Sequence, residues 1–386
     1  MKHRPLVLSL CVSAAVASIA SNAAAGPAGD HSPGPRACAG RTVLAAPPSG
    51  SAYHTAYFSP TNDEETVTDT TIDHFESMTR HELAGVVFSD PWGHGGRLDI
   101  GFPATKVRTI WRHGAIPMIR MMPWTRLWNP PDPVVTMGRV AAGQYDPALR
   151  RWFRDARDLG IPLWVEFGVE ANGRWFPWNG VWNGGGRGDR YGDPSYPDGP
   201  ERFRDAYRHL VRLSREVGAD RLTWVFHADI ESWPDVWWNR IRWYYPGTSF
   251  VDWLAVSVYG EQIPSGKPSH WARVPERMGD AADPRSNVRR VMDLAPSLPF
   301  ALIEFGVTED PDAGDKAAWY TEVYDAVTPP TGQYPIDLVS VWSERWPNGN
   351  GTTSDLRVNS SATALDAYRA GVADPAFLSA PAFVCV

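Results

Sequence analysis

Val165-Glu166-Phe167-Gly168-Val169-Glu170-Ala171-Asn172-Gly173-Arg174-Trp175-Phe176-Pro177-Trp178-Asn179-Gly180 is an apolar run that ends on a carboxylate and opens into a loop of Asn, Gly and tryptophan. Its first half has the β-branched and aromatic character of a strand buried on both faces, and the Gly and Asn that follow break it. Working outward, seven more runs of this kind occur, at residues 52–59, 83–89, 115–122, 222–227, 253–260, 300–306 and 338–343, which makes the run at 162–170 the fourth of eight. Amphipathic stretches lie between them. Leu149, Trp152, Phe153, Ala156 and Leu159 recur at helical spacing and stop at Gly160, and Phe203, Tyr207, Leu210, Val211 and Ser214 repeat the pattern and stop at Gly218. Strands alternating with helices in this way predict an α/β fold, a single-domain (β/α)8 TIM barrel over residues 51–386.

The 386-residue chain begins with Lys2 and Arg4, an apolar core from Leu6 to Ile19, and Ala23-Ala24-Ala25. That order reads as a secretory signal over residues 1–25, and the Gly, Pro and Ala of residues 26–50 as a leader with little structure of its own. Set aside the signal and two cysteines remain, Cys38 and Cys385, near the two ends of the chain. In an exported protein such a pair is expected to form a disulfide. The predicted location is therefore extracellular. The formal charge of −7 disfavours nucleic acid and anionic membranes as partners, because both depend on concentrated positive charge. The basic and aromatic run from Trp237 to Tyr245 reads instead as a packed helix-to-strand connection.

In a barrel of this type the loops after the strands build the functional face. Glu170 ends the fourth run, and Glu304 lies in Ile303-Glu304-Phe305-Gly306 of the seventh, so both should point to one mouth. Two carboxylates from different strand ends are what glycoside hydrolysis requires, one to handle the proton and one to act as nucleophile or base. Nineteen tryptophans exceed the needs of packing, and indole faces suit the C–H surfaces of sugars. Asn172, Trp175 and Trp178 share the loop of Glu170 as candidate sugar contacts, and Trp92, Trp124 and His227 follow other strands as further candidates. Alternation puts Glu166, Gly168 and Glu170 on one face. Glu166 then lies deeper, either as a like charge acting on Glu170 or paired with an interior Arg such as Arg120. The Gly-rich segment from Asn183 to Asp189 lacks the ending of a phosphate loop and reads as a loop bordering the cleft. No His spacing suits a metal, so neither a metal nor a cofactor is expected.

Glu170-Ala171-Asn172-Gly173-Arg174-Trp175-Phe176-Pro177-Trp178, Trp243-Tyr244-Tyr245-Pro246-Gly247 with Tyr259-Gly260, and Ile303-Glu304-Phe305-Gly306 together resemble three ordered motifs of glycoside hydrolase family 26, the β-mannanase family. The resemblance covers roughly residues 52–370. It implies a retaining glycosidase with Glu170 as general acid/base, Glu304 as nucleophile, Tyr259 hydrogen-bonded to that nucleophile, and Trp342 as a platform under the cleaved sugar. Two positions depart from the pattern. Val169 stands where the family carries His, and Glu166 where it commonly carries Arg, so a β-glucanase or β-xylanase specificity, or a silent polysaccharide-binding protein, are the alternatives to mannan cleavage. The expected partner is a polysaccharide, met by a monomer.

Overall fold

The computed structural model describes residues 38–59 and 63–386. The secretory signal read at residues 1–25 lies outside them. Eight parallel strands form the barrel: β1 (Ala52–Phe58), β2 (Gly85–Pro91), β3 (Ile116–Met122), β4 (Leu163–Phe167), β5 (Leu222–Asp229), β6 (Trp253–Tyr259), β7 (Phe300–Gly306) and β8 (Leu338–Ser343). Each pairs with its sequence neighbour, and β8 returns to β1 with Leu338 opposite Tyr53 and Trp342 opposite Tyr57. The sheet is therefore closed, which removes its edges.

Outer helices follow most strands, and the two read from periodicity span Asp146–Leu159 and Asp198–Val217, each ended by a glycine in the left-handed region, Gly160 and Gly218. Between β5 and β6 the described chain forms only single 3-10 turns, Trp237–Asn239, Ile241–Trp243 and Thr248–Phe250. The aromatic run at 237–245 is thus a set of turns, in which Trp237 is exposed and Tyr244 fully buried.

Strand alternation sorts the side chains into two cores. Inward-pointing Tyr53, Val87, Met118, Trp164, Val225, Trp253, Ala255, Ala301 and Leu338 fill the barrel, while a larger cluster packs the outer strand faces under the helices. Above the apolar filling lies a polar layer, with Ser89, Arg120, Glu166, His227, Ser257 and Glu304 all buried. Burying so many polar groups is affordable only because they bond to one another, as described below.

The described part of the leader, from residue 38, is more ordered than its composition indicates. Thr42–Leu44 forms a strand antiparallel to Phe383–Cys385, and Cys38 is disulfide-bonded to Cys385 with Cα atoms 5.8 Å apart. Leu44 belongs to the barrel-filling cluster and its carbonyl accepts the Trp253 indole N–H at 3.0 Å, so this ribbon plugs the end of the barrel where the strands begin.

Candidate active site

β4 stops at Phe167 because Gly168 turns left-handed at φ 62°, and a Cβ there would meet the Phe203 ring at 2.7 Å. Two residues on, Glu170 itself holds φ 49°, a conformation that costs a non-glycine residue free energy and is kept only where the surroundings impose it. The surroundings are visible. The Trp178 indole donates to the Val169 carbonyl at 2.7 Å, the Asn179 amide to the Ala171 carbonyl at 2.9 Å, and Asn172 accepts the Asp229 N–H at 2.9 Å while donating to the Asp229 carbonyl at 2.8 Å. Tyr244 completes the clamp, its hydroxyl accepting the Gly180 N–H at 3.0 Å and donating to Asn239. The loop's polar residues therefore hold its backbone, and the backbone presents Glu170 to the barrel mouth. Trp175 is the exception. Its indole donates to Glu170 Oε2 at 2.7 Å.

Glu304 reaches the same mouth by a different device. In β7, Leu302 pairs with Val256 but Glu304 with Ser257, so one residue is extra. This bulge turns Ile303 and Glu304 both inward before Phe305 resumes packing outside. Tyr259 donates its hydroxyl to Glu304 Oε2 at 2.8 Å, and Arg120 Nη2 stands 3.1 Å from Oε1. Arg120 is shared: Nη1 donates to Glu64 at 2.8 Å and to Ser89 at 2.9 Å. Its guanidinium also lies 4.6 Å from the Trp342 ring, which stacks on Tyr57 at 3.6 Å.

Burial pushes both carboxyls up. For Glu304 the value reaches about 7, with Arg120 pulling it down and the Glu170 charge adding to the rise. Glu170 is raised by burial too, against hydrogen bonds from Ser257 and Trp175 and the charge of Arg120. The two environments differ in kind. Glu304 has a guanidinium and a tyrosine hydroxyl in contact, whereas Glu170 accepts from the neutral Trp175 indole and feels Arg120 only through its charge. Both open onto a cavity of about 960 Å³, lined also by Trp124, Trp128, Trp175, Trp233 and Trp346. Among the described residues no group of three or more His, Cys, Asp or Glu could hold a metal ion.

Residues 143–272 match the profile of glycosyl hydrolase family 26. Endoglucanase H of Acetivibrio thermocellus is 26% identical over 263 residues, covering 68% of this chain and 25% of that protein, so the chain spans about a quarter of that relative's length. Over these residues the chain is similar to glycosyl hydrolase family 26. Solved structures agree on the fold: a Cellulomonas fimi endo-β-1,4-mannanase double mutant at TM-score 0.56, 17% identity, 85% of this chain and 72% of that one; and the YdhT protein of Bacillus subtilis at TM-score 0.53, 16% identity, 87% and 86%.

Several expected sugar contacts are elsewhere. Asn172 and Trp178 are buried loop clamps, as above, and Trp92 is a core indole 1% exposed, its ring 5.7 Å from Tyr145 and 5.9 Å from Phe167. His227 lies in the polar layer below the cleft, 2.6 Å from both Glu166 and Ser257. Glu166 is deep, as alternation required, but its partners are His227 and the Trp164 indole at 2.6 Å, while Arg120 is engaged by Glu64 and Glu304. Its like charge acts on Glu304. Trp124, Trp175, Tyr259 and Trp342 do line the cavity, although Trp342 is only 5% exposed. The open indoles are Trp128 and Trp233, 56% and 55% exposed, neither of which the sequence reading selected. Trp128 follows Trp124 in the loop after β3, and two tryptophans four residues apart in a polar loop were the available signal. The Gly-rich segment at 183–189 does not border the cleft; it packs on the start of the Asp198–Val217 helix, where the Arg187 carbonyl accepts the Asp198 N–H at 2.6 Å.

Proposed function

We propose that the protein is a secreted, retaining endo-glycanase of mannanase type that cleaves a β-linked polysaccharide, with Glu170 as general acid/base and Glu304 as nucleophile. The observation that carries this is the unequal treatment of two buried carboxyls facing one cavity: Glu304 is met by Arg120 and the Tyr259 hydroxyl, Glu170 by Trp175 and Ser257. A nucleophile must be ionised when substrate arrives, and an acid must still hold its proton. Tyr259 and Arg120 would share the charge of Glu304 until it attacks the anomeric carbon. Trp175 would steady Glu170 as it protonates the leaving oxygen and later takes a proton from water.

The cavity is large enough for several sugar units, and Trp128 and Trp233 offer them exposed ring faces. Mannan is the first substrate to test, because the Cellulomonas fimi structure is of an endo-β-1,4-mannanase. Glucan is second, because the curated relative is named endoglucanase H. Export is supported by the Cys38–Cys385 disulfide, a bond that persists in oxidising compartments. The protein is read as a monomer acting without cofactor or metal.

The test uses the two glutamates separately. Glu304→Ala should lose turnover and, with azide and an activated substrate, give a glycosyl azide of opposite anomeric configuration. Glu170→Ala should keep the first step for substrates with good leaving groups, and azide should restore the second with configuration retained. An inverted wild-type product by proton NMR would remove the nucleophile role from Glu304, and full activity in both variants would end the reading of this site.

A further inference from the structure

One buried carboxylate in the loop after β3 has no part in the reaction scheme above. Asp132 Oδ2 accepts the backbone N–H groups of Thr125 and Arg126, at 2.5 and 3.0 Å, and Oδ1 accepts those of Val134 and Val135, at 2.9 and 2.8 Å. The Thr125 hydroxyl donates to both oxygens, at 3.1 and 3.0 Å. Burial would raise this carboxyl, yet the N–H groups of Val135, Thr125 and Val134 hold it below its ordinary value. An acceptor-only group thus ties residues 125–126 to residues 134–135 and closes the loop between them.

At the tip of that loop Leu127 and Trp128 are exposed and line the cavity. Trp128 holds φ 54°, a left-handed conformation that strains a bulky residue. Asn129, of a type that takes this region far more readily, stands one position away, and the left-handed place is given to the indole instead. The Trp128 ring rests 5.3 Å from Trp124 and 5.3 Å from Phe176, both buried. Phe176 in turn stacks at 4.4 Å on Trp178, the indole that clamps the Glu170 loop. The open ring is therefore held in a set place relative to Glu170.

Strain of this kind persists only where the surroundings impose it, and here the knot at Asp132 closes the loop that carries it. A ring ordered beforehand spares a ligand the cost of ordering it. We infer that Asp132 is a positioning residue for glycan binding: its carboxylate locks the loop after β3 in the strained form that presents the Trp128 ring to the cavity. This rests on the reading of the cleft as a glycan site.

The test measures binding of mannohexaose and of cellohexaose by calorimetry in the Glu304→Gln protein, so that neither is hydrolysed. Asn offers one acceptor oxygen and turns an NH2 toward N–H groups, so Asp132→Asn should release the loop and raise Kd about fivefold. In the Trp128→Ala background the same substitution should change Kd by less than about twofold. Equal losses in both backgrounds, or none in either, would overturn the inference. Independently of any glycan, the Trp128 indole N–H, assigned by its loss in Trp128→Phe, should show a heteronuclear NOE as high as that of the buried indoles, and Asp132→Asn should lower it. A low value in the unaltered protein would overturn the inference too. Should Asp132→Asn not fold, Trp128→Gly against Trp128→Ala decides, because both lose the indole and only Gly takes a positive φ freely: Trp128→Gly is expected to unfold about 1 °C higher, and the reverse order would remove the strain on which the argument stands. Binding of neither hexasaccharide to any of these proteins would remove the reading of the cleft, while the NOE would still decide whether Asp132 holds Trp128.

Discussion

Glu304→Gln should make the protein more stable as it makes it inactive, and the gain should appear only at the alkaline side. Burial raises this carboxyl from 4.5 to about 7 despite Arg120. A raised folded-state value means that the stability contribution is fully present below about pH 4.5 and is lost as pH rises through about 7, because the unfolded chain releases its proton first. The interval of about 2.5 pH units, at roughly 1.4 kcal/mol each, amounts to about 3 kcal/mol. Gln has the same shape and cannot ionise, so the variant escapes this loss. Asp90 and Glu344 are also raised to about 7 by burial, but they titrate identically in both proteins and cancel in the comparison. Thermal unfolding followed by circular dichroism from about pH 4 to about pH 8 should show the variant gaining on the wild type by about 3 kcal/mol. With an unfolding entropy near 2.1 cal/mol/K per residue, that is about 4 °C in Tm. Parallel curves would refute the reasoning, since they would mean that Arg120 and Tyr259 already offset the cost of burying the charge.

Trp175→Phe removes the N–H that reaches Glu170 at 2.7 Å, one of the influences that hold its carboxyl down, so the alkaline limb of kcat/KM should move to higher pH; a limb that stays in place would show that the indole only packs. Cys385→Ser opens a disulfide that spans 347 residues, for which chain entropy allows up to about 5 kcal/mol. The strand pair Thr42–Leu44 with Phe383–Cys385 still holds the ends, so the expected loss is smaller, a fall in Tm with initial rates unchanged, and an unaltered Tm would contradict it.

All eight barrel strands were legible in the chain, because a strand covered on both faces must be apolar along its length and a parallel strand must be followed by a crossover. Glu170 and Glu304 were legible for the complementary reason, as carboxylates in runs that otherwise avoid them. The direction of Glu304 was not. Simple alternation from Ala301 and Ile303 would put it under the helices, and only the register slip against β6 brings it into the barrel. Nor could one residue's partner be read from its neighbours along the chain. Arg120 sits opposite Glu166 across β3 and β4 yet bonds to Glu64 and Glu304, while Glu166 turns to a His on the next strand. Asn172, Trp178 and Trp92 have the chemistry of sugar contacts and are used to hold loops and core, whereas Trp128 and Trp233 are left open. Sequence period determines which residues form strands and which faces are apolar. Which polar groups meet inside a closed barrel depends on its stagger and on one extra residue in β7, and these are properties of the whole ring of strands.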